Sequence, residues 1–154
     1  ILRNNFKEFE NCYVASVATQ AGIRETRRIK GVHTMTAEEY MSGYQYYDSI
    51  SRGAHPIDIH ATKGNKQSVH FLEQAAYVPY RALIAEHYPN LLVAGRSISA
   101  DRKAFASMRV QASCMGTGQA AGVAAAMCAQ CGCSVQDVDI NALIKKLREI
   151  GAQI

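Results

Sequence analysis

The chain has 154 residues, 48% of them hydrophobic and 19% charged, and its formal net charge is +4 at pH 7. This composition excludes a disordered chain, and the length is enough for one globular domain with a core of its own. The mildly basic balance permits an anionic ligand but does not require nucleic acid.

Along the first part of the chain, the pattern predicts a helix end, a strand and a basic segment. Residues 1–11 carry apolar side chains at helical spacing, and residues 12–20 are small or β-branched as in a strand. Arg24, Arg27 and two further basic residues lie within 24–30, and they could contact phosphate, a carboxylate substrate, or only water. Because the chain opens without Met, we expect it to be part of a longer protein.

A capping box predicts the next helix. Thr36 and Glu39 have its spacing, so we expect a short helix from about 37 to 42 that ends at Gly43. Residues 61–68 are the most loop-like in the chain.

The sequence IDIH (57–60) alternates like a short strand and brings two kinds of titratable side chain together. Asp58 with His55 or His60 could act as a general acid or base. The same residues could equally form only a hydrogen-bonded pair.

The second half of the chain is expected to alternate strands and helices. AYVPYRALI (76–84) predicts an edge strand, because a central strand would not accept Pro79. NLLVAGR (90–96) is the clearest strand, and its apolar run indicates burial on both faces. We expect an irregular polar connection over 97–107, and then a Gly- and Ala-rich helix from about 111 to 130.

A final helix is predicted from its cap and its periodicity. Asp139 can cap it, while Leu143 and Leu147 lie on an apolar face opposite a charged one. We expect no membrane-spanning segment. The one long stretch without charged residues, 110–133, is too rich in Gly, Ala, Ser and Gln to prefer a lipid environment.

Three of the five cysteines form the pattern Cys128-x-x-Cys131-x-Cys133. A tetrahedral metal site needs a fourth ligand and usually a second Cys or His pair, which this part of the sequence lacks. We therefore expect unpaired cysteines packed at a helix end, no metal site, and a reducing, cytoplasmic compartment.

The same region contains Gly116-x-Gly118-x-x-Ala121, the loose form of a dinucleotide fingerprint. That fingerprint normally follows a strand directly, and 107–115 do not form a convincing strand. The motif alone therefore does not predict a nucleotide-binding turn.

A longer stretch carries a family resemblance. NLLVAGRSISADRKAFASMRVQASCMGTGQAAGVAAA (90–126) combines a strand, a Gly-Arg turn, a later Arg and a long helix, and it resembles the C-terminal part of FAD-dependent oxidoreductases. It is most similar to a bacterial subgroup related to the flavoprotein subunits of fumarate reductase and succinate dehydrogenase. GIRETRRIKG, HPIDIH, VPYRALI and SVQDVDINALIKKLREIGA match the subgroup in the same order, so the resemblance spans about 23–152.

The resemblance implies a fold class and a division of the chain. It implies an α/β flavoprotein with a Rossmann-like FAD-binding domain whose first βαβ unit lies outside these residues, which alone would be α+β. Residues 1–88 would be a substrate-side segment with irregular β structure, and 89–154 the C-terminal part of the FAD-binding domain. Without the first unit, we expect little bound FAD, no turnover, and homo-oligomers formed through exposed apolar surface.

The resemblance also implies which residues contact FAD. The turn of Gly95, Arg96 and Ser97 would lie beside the ribityl and phosphate groups, with Arg96 on phosphate oxygens, although many relatives have an acidic residue there. A helix N-terminus near Gly116 would point at the flavin ring and stabilise negative charge on it. The ring-facing residues would be Met115, Gly116, Thr117, Gly118 and Gln119.

Arg109 is the catalytic candidate. The resemblance places it where fumarate-reductase-like proteins have an arginine that binds a substrate carboxylate. The implied activity is hydride transfer between a small-molecule substrate, which could be anionic, and flavin N5. Arg24, Arg27 and His60 are the further candidates for substrate binding.

Two other classes of function remain open. A small basic binding module for nucleic acid or another anion would use the basic segment and nearby tyrosines, and a purely structural domain would use neither. The tyrosines cluster apart from the charges, and no nucleic-acid motif is present, so nucleic acid is not the expected partner.

Overall fold

The computed structural model describes residues 1–60 and 67–154, which form five α-helices and four β-strands. The helices are α1 (Leu2–Asn5), α2 (Ala37–Met41), α3 (Arg102–Met108), α4 (Gln111–Cys131) and α5 (Ile140–Glu149). Short 3-10 turns cover Lys7–Phe9, Tyr80–Ala82 and Gly95–Ser97.

The strands form two separate antiparallel pairs. They are β1 (Ser49–Gly53), β2 (Ile57–His60), β3 (Gln67–His70) and β4 (Ala76–Pro79). β1 pairs with β4, and β2 pairs with β3 so that His60 lies opposite Gln67. The predicted strand at IDIH is confirmed. The edge strand predicted over 76–84 forms only over its first four residues, because Pro79 ends β4 and Tyr80–Ala82 form a 3-10 turn. Most of the predicted loop at 61–68 lies outside the described residues, but its last two residues begin β3.

The capping box forms as predicted. The Thr36 hydroxyl accepts a hydrogen bond from the Glu39 amide at 3.2 Å, and the Glu39 carboxylate accepts from the Thr36 amide at 2.9 Å. The adjacent Gly43 has a φ of 62°, a left-handed conformation that suits glycine. The two side chains thus accept hydrogen bonds from backbone amides that have no partner within α2.

α3 replaces part of the irregular connection that was expected over 97–107. The Asp101 carboxylate accepts from the Ala104 amide at 2.8 Å and caps the helix. Its other oxygen accepts from the Ala37 amide at 2.7 Å, at the start of α2. One aspartate therefore orders two helix starts, and the prediction of an irregular segment was wrong.

Two predicted strands are absent from the described residues. Residues 90–96 form only an isolated bridge between Leu92 and Ile84, and they are partly exposed rather than buried on both faces. Residues 12–20 form no strand, and all of them except the half-buried Cys12 are exposed; the predicted helix end before them is reduced to α1 and one 3-10 turn. A strand needs a hydrogen-bonded neighbour, and the described residues offer neither segment a continuous one.

The core forms where α4 packs on β1 and α5. Its fully buried side chains include Ile50, Phe105, Leu143 and Leu147, which come from both halves of the chain. α5 is capped by Asp139, as predicted, with its apolar face inward. The fold class is α+β, with small antiparallel sheets and helices around one core. Within the described residues, no helix combines the length and apolar character needed to cross a bilayer.

Candidate active site

Arg109 occupies the junction of two helices. It is the C-terminal cap of α3, and α4 begins two residues later. Its side chain is only 8% exposed, because Nη1 donates to Glu25 Oε2 at 2.5 Å and Nη2 donates to the Asp58 carbonyl at 3.1 Å. The guanidinium therefore joins the 23–30 segment and β2 to the start of α4.

A small cleft opens beside this guanidinium. It has a volume of about 20 Å³, and its walls are Glu25, Asp58, Ile59, His60, Arg102, Ala106 and Arg109. A space of this size holds about one water-sized group, so the cleft can receive a functional group but not a whole ligand. Arg102 contributes a second guanidinium, 57% exposed and 3.7 Å from Glu25 Oε1.

Asp58 and His60 lie on β2 at the edge of this cleft. His60 Nε2 is 3.0 Å from Asp58 Oδ2, and Gln67 Nε2 donates to Asp58 Oδ1 at 2.8 Å. The β2–β3 register explains the second contact, because it places Gln67 opposite His60. Hydrogen bonds from Gln67 and His60 lower the pKa of Asp58 below its usual value, so its carboxylate is ionised at neutral pH.

The Gly95 turn lies against the first half of α4. Gly95 has a φ of 70°, which favours glycine, and its amide donates to Thr117 Oγ1 at 3.1 Å. Arg96 extends to the Ile23 carbonyl, where Nη1 donates at 2.6 Å, and the Ser97 carbonyl accepts from Ile29. The turn is therefore fixed to both α4 and the 23–30 segment.

α4 starts where its composition predicted, near residue 111, and not near Gly116 as the resemblance implied. The helix begins at Gln111, so Gly116 lies in its second turn and its amide is not at the helix N-terminus. A Cβ built on Gly116 would fall on the Ser51 hydroxyl of β1, so close packing of helix on sheet requires this glycine. The prediction of a helix N-terminus near Gly116 was wrong.

Within the described residues, the amides of Gln111, Ala112 and Ser113 at the start of α4 have no hydrogen-bond partner. The N-cap residue, Val110, has no side-chain acceptor for them, and the next amide is already bonded to the Val110 carbonyl. These amides follow directly after Arg109. The uncapped amides and the helix dipole suit a group carrying negative charge, while the Arg109 guanidinium itself is directed to Glu25 and β2.

The remaining flavin-facing candidates divide between surface and core. Residues Met115, Gly118 and Gln119 are exposed, whereas Thr117 is buried and bonded to Gly95. Apart from α4's own backbone and the chain neighbours, no atom of the described residues lies within 4 Å of a Cβ built on Gly118. An exposed face of α4 is therefore open to a ligand.

The basic segment contributes unequally to this region. Arg24 and Arg27 are exposed and do not line the cleft, although His60 does. Arg28 lies over the Phe105 ring at 5.1 Å, and Lys30 pairs with Glu86 at 2.8 Å. Some of the charge in this segment is therefore neutralised or used in packing.

Two residues of the cleft were not singled out from the sequence. Glu25 is the only acid in the basic segment, and a lone carboxylate among arginines is a signal that could have marked it. Arg102 lies in the connection that was expected to be irregular. Its position on α3 became visible only with the Asp101 cap.

The cysteine pattern contains a disulfide. Cys131 and Cys133 are bonded, with their Cα atoms 5.4 Å apart, while Cys12, Cys114 and Cys128 are free. The expectation of unpaired cysteines at the end of α4 was therefore wrong for two of the three. The described residues contain no group of three or more His, Cys, Asp or Glu side chains arranged to hold a metal ion.

Comparisons with known proteins identify the family. A comparison with curated proteins gives no match, and a comparison with solved structures also gives none. A family model described as "FAD dependent oxidoreductase" matches residues 1–147, which is nearly the whole chain. That family depends on FAD, so FAD is the cofactor of this protein. The chain belongs to the FAD dependent oxidoreductase family.

Proposed function

We propose that this chain forms the substrate side and part of the cofactor site of an enzyme that transfers a hydride between a small-molecule substrate and flavin N5. The observation that carries the proposal is the uncapped first turn of α4, which follows directly after Arg109. Its amides and the helix dipole favour the negative charge that hydride transfer to a flavin generates, while Arg109, held by Glu25, shapes the cleft. When bound, FAD supplies the redox chemistry, and the protein supplies orientation and charge.

The residues present fit such a cofactor. We assign the flavin edge to the amides of Gln111, Ala112 and Ser113, in place of the helix start first expected at Gly116. The Gly95 turn and the exposed face of α4 that carries Met115, Gly118 and Gln119 would lie alongside. Arg96 is exposed and can bind phosphate once its contact to the Ile23 carbonyl is exchanged.

The substrate would approach from the cleft. Arg109 forms its wall, and His60 and Arg102 offer exposed polar groups at its edge. Arg24 and Arg27 lie outside this space and would meet only a remote, anionic part of a larger substrate. We also retain the proposal that the chain is related to the fumarate reductase subgroup and completes a Rossmann-like domain whose first βαβ unit lies outside residues 1–154.

The test uses Arg109→Ala in the FAD-loaded full-length protein, with a substrate identified by flavin bleaching in a screen of small alcohols and acids. We expect the rate of flavin reduction to fall by about tenfold or more while the FAD content stays unchanged. Lys103→Ala, an exposed change on α3, is the matched control. Equal reduction rates in the two variants would remove Arg109 from the site, and a protein that binds no FAD would remove the proposal.

A further inference from the structure

We propose that His60, positioned by Asp58, accepts the proton of a substrate hydroxyl group, and that the substrate is therefore an alcohol that enters the cleft by its hydroxyl. This inference rests on the proposed function, because it assigns a residue and a substrate class to the same cleft.

The hydrogen bond between the two side chains fixes the proton on one ring nitrogen. Asp58 is held at both carboxylate oxygens, by His60 Nε2 at 3.0 Å and by Gln67 Nε2 at 2.8 Å. An ionised carboxylate only accepts, so a neutral His60 carries its proton on Nε2 and has a free lone pair on Nδ1. The His60 side chain is 47% exposed and lines the cleft, and the proposal assigns Nδ1 as the nitrogen that meets the ligand. A base oriented by a carboxylate is a recurrent arrangement for proton transfer.

The charges around the cleft do not select a carboxylate. Glu25 and Asp58 both lie in its wall, and two arginines, Arg28 and Arg102, are within 4 Å of Glu25. Arg109 is already bonded to Glu25 and to the backbone of β2. The two acids and two guanidiniums of the cleft wall therefore balance one another, so no surplus positive charge selects a substrate carboxylate, and the buried cation is already paired.

Size leads to the same substrate class. The volume of about 20 Å³ holds one water-sized group, which matches a hydroxyl. A hydroxyl can donate to His60 Nδ1 and accept from the exposed guanidinium of Arg102 on the same wall. A carboxylate only accepts, so it cannot donate to that nitrogen.

The step balances with the flavin as oxidant. The C–H bond of the alcohol carbon breaks, and its hydrogen leaves with both electrons as a hydride for flavin N5. The O–H bond breaks, its proton passes to His60 Nδ1, and the electron pair left on oxygen completes the carbonyl. The alcohol is oxidised by two electrons and the flavin is reduced by the same two.

The test observes His60 directly, by NMR on the FAD-loaded full-length protein with isotope-labelled histidine. His60→Gln identifies the signals by their loss. We expect the neutral ring to carry its proton on Nε2, and Asp58→Asn to shift the population toward the other tautomer. Glycerol, used as the alcohol probe, should shift the His60 signals, and acetate, used as the anion probe, should not.

The control is His70→Gln, because His70 lies on β3, opposite Ile57, and is not part of the cleft wall. It should preserve the glycerol response, whereas Asp58→Asn should abolish it. A ring protonated on Nδ1, a response to acetate instead of glycerol, or a response to neither probe would each overturn the inference. Flavin absorbance of the same sample tests the proposed function separately, since loss of FAD leaves the histidine signals readable.

Discussion

Arg109 Nη1 and Glu25 Oε2 form an ion pair of 2.5 Å between residues that are 84 positions apart. The pair attaches a segment without regular secondary structure to the junction of α3 and α4. It also determines what Arg109 can do, because a guanidinium held by a carboxylate is oriented but partly neutralised. The arginine is therefore better suited to shaping the cleft than to capturing a second carboxylate.

Removing the charge of Glu25 should destabilise the protein. Glu25→Gln leaves Arg109, whose side chain is 8% exposed, without its carboxylate partner. We expect a loss of about 1–3 kcal/mol in the free energy of unfolding, typical for a hydrogen bond to a charged group. Urea denaturation measures it, with the exposed Glu73→Gln as the control, which should change the free energy by less than about 0.5 kcal/mol. An equal loss of unfolding free energy in the two variants would show that the pair between Glu25 and Arg109 does not stabilise the fold.

Gln67 should control the acidity of Asp58. The Gln67 amide is the main cause of the lowered pKa of Asp58, with a further contribution from His60. Gln67→Leu should therefore raise this pKa toward its usual value, as measured by NMR of the Asp58 carboxyl carbon. Ser68→Ala, whose hydroxyl contacts His70 instead, is the control and should leave the pKa of Asp58 unchanged.

The same change has a defined effect on stability at low pH. A carboxylate with a lowered folded pKa stabilises the protein above its unfolded pKa, and this contribution is lost as the pH falls through the folded pKa. Wild type and Gln67→Leu should therefore differ most at neutral pH and converge in acid. A stability difference that grows as the pH falls would contradict the assignment of the Asp58 pKa.

Local signals made α2, α4 and α5 predictable. The Thr36–Glu39 box and the Asp139 cap act over three residues and need no distant partner. Strands do need one, which is why 90–96 gave an isolated bridge instead of the expected strand. The missed helix α3 has a cap that is just as local, because Asp101 accepts from the Ala104 amide three residues on, and this signal was not recognised in the sequence. Only the second contact of Asp101, to the Ala37 amide, depends on a distant part of the chain.

The candidate site was only partly predictable for the same reason. Arg109 and His60 were marked by resemblance and by residue type. Their partners were not, because Glu25 is 84 residues from Arg109 and Gln67 reaches Asp58 only through the pairing of β2 with β3. Gly116 was assigned to the flavin site, but it packs against Ser51 of β1. A glycine motif in a sequence does not show whether the helix approaches a cofactor or a strand closely.

The disulfide makes a quantitative prediction about thiols. In denaturant without reductant, Cys12, Cys114 and Cys128 should react with a thiol reagent, giving three thiols per chain. Prior reduction should raise the number to five, because Cys131 and Cys133 are then released. The variant Cys131→Ser should give four without reductant, since Cys133 loses its partner. Five thiols in unreduced wild-type protein would show that the bond does not form in solution.

Two glycines of α4 should respond oppositely to the same substitution. Gly116→Ala places a methyl group on the Ser51 hydroxyl, so we expect a loss of about 1–3 kcal/mol, as for other overpacked sites. At Gly122 a Cβ meets nothing within 4 Å, so Gly122→Ala should stabilise the helix by about 0.5–1 kcal/mol. Urea denaturation of both variants measures the difference in the free energy of unfolding for the same Gly→Ala substitution.

Adding Ser51→Ala to Gly116→Ala removes the clashing hydroxyl and should recover most of the lost stability, because the remaining Ser51 Cβ lies 3.4 Å from the new methyl group. If Gly116→Ala instead leaves stability unchanged but lowers FAD content in the full-length protein, the glycine serves the cofactor and not the contact between α4 and β1.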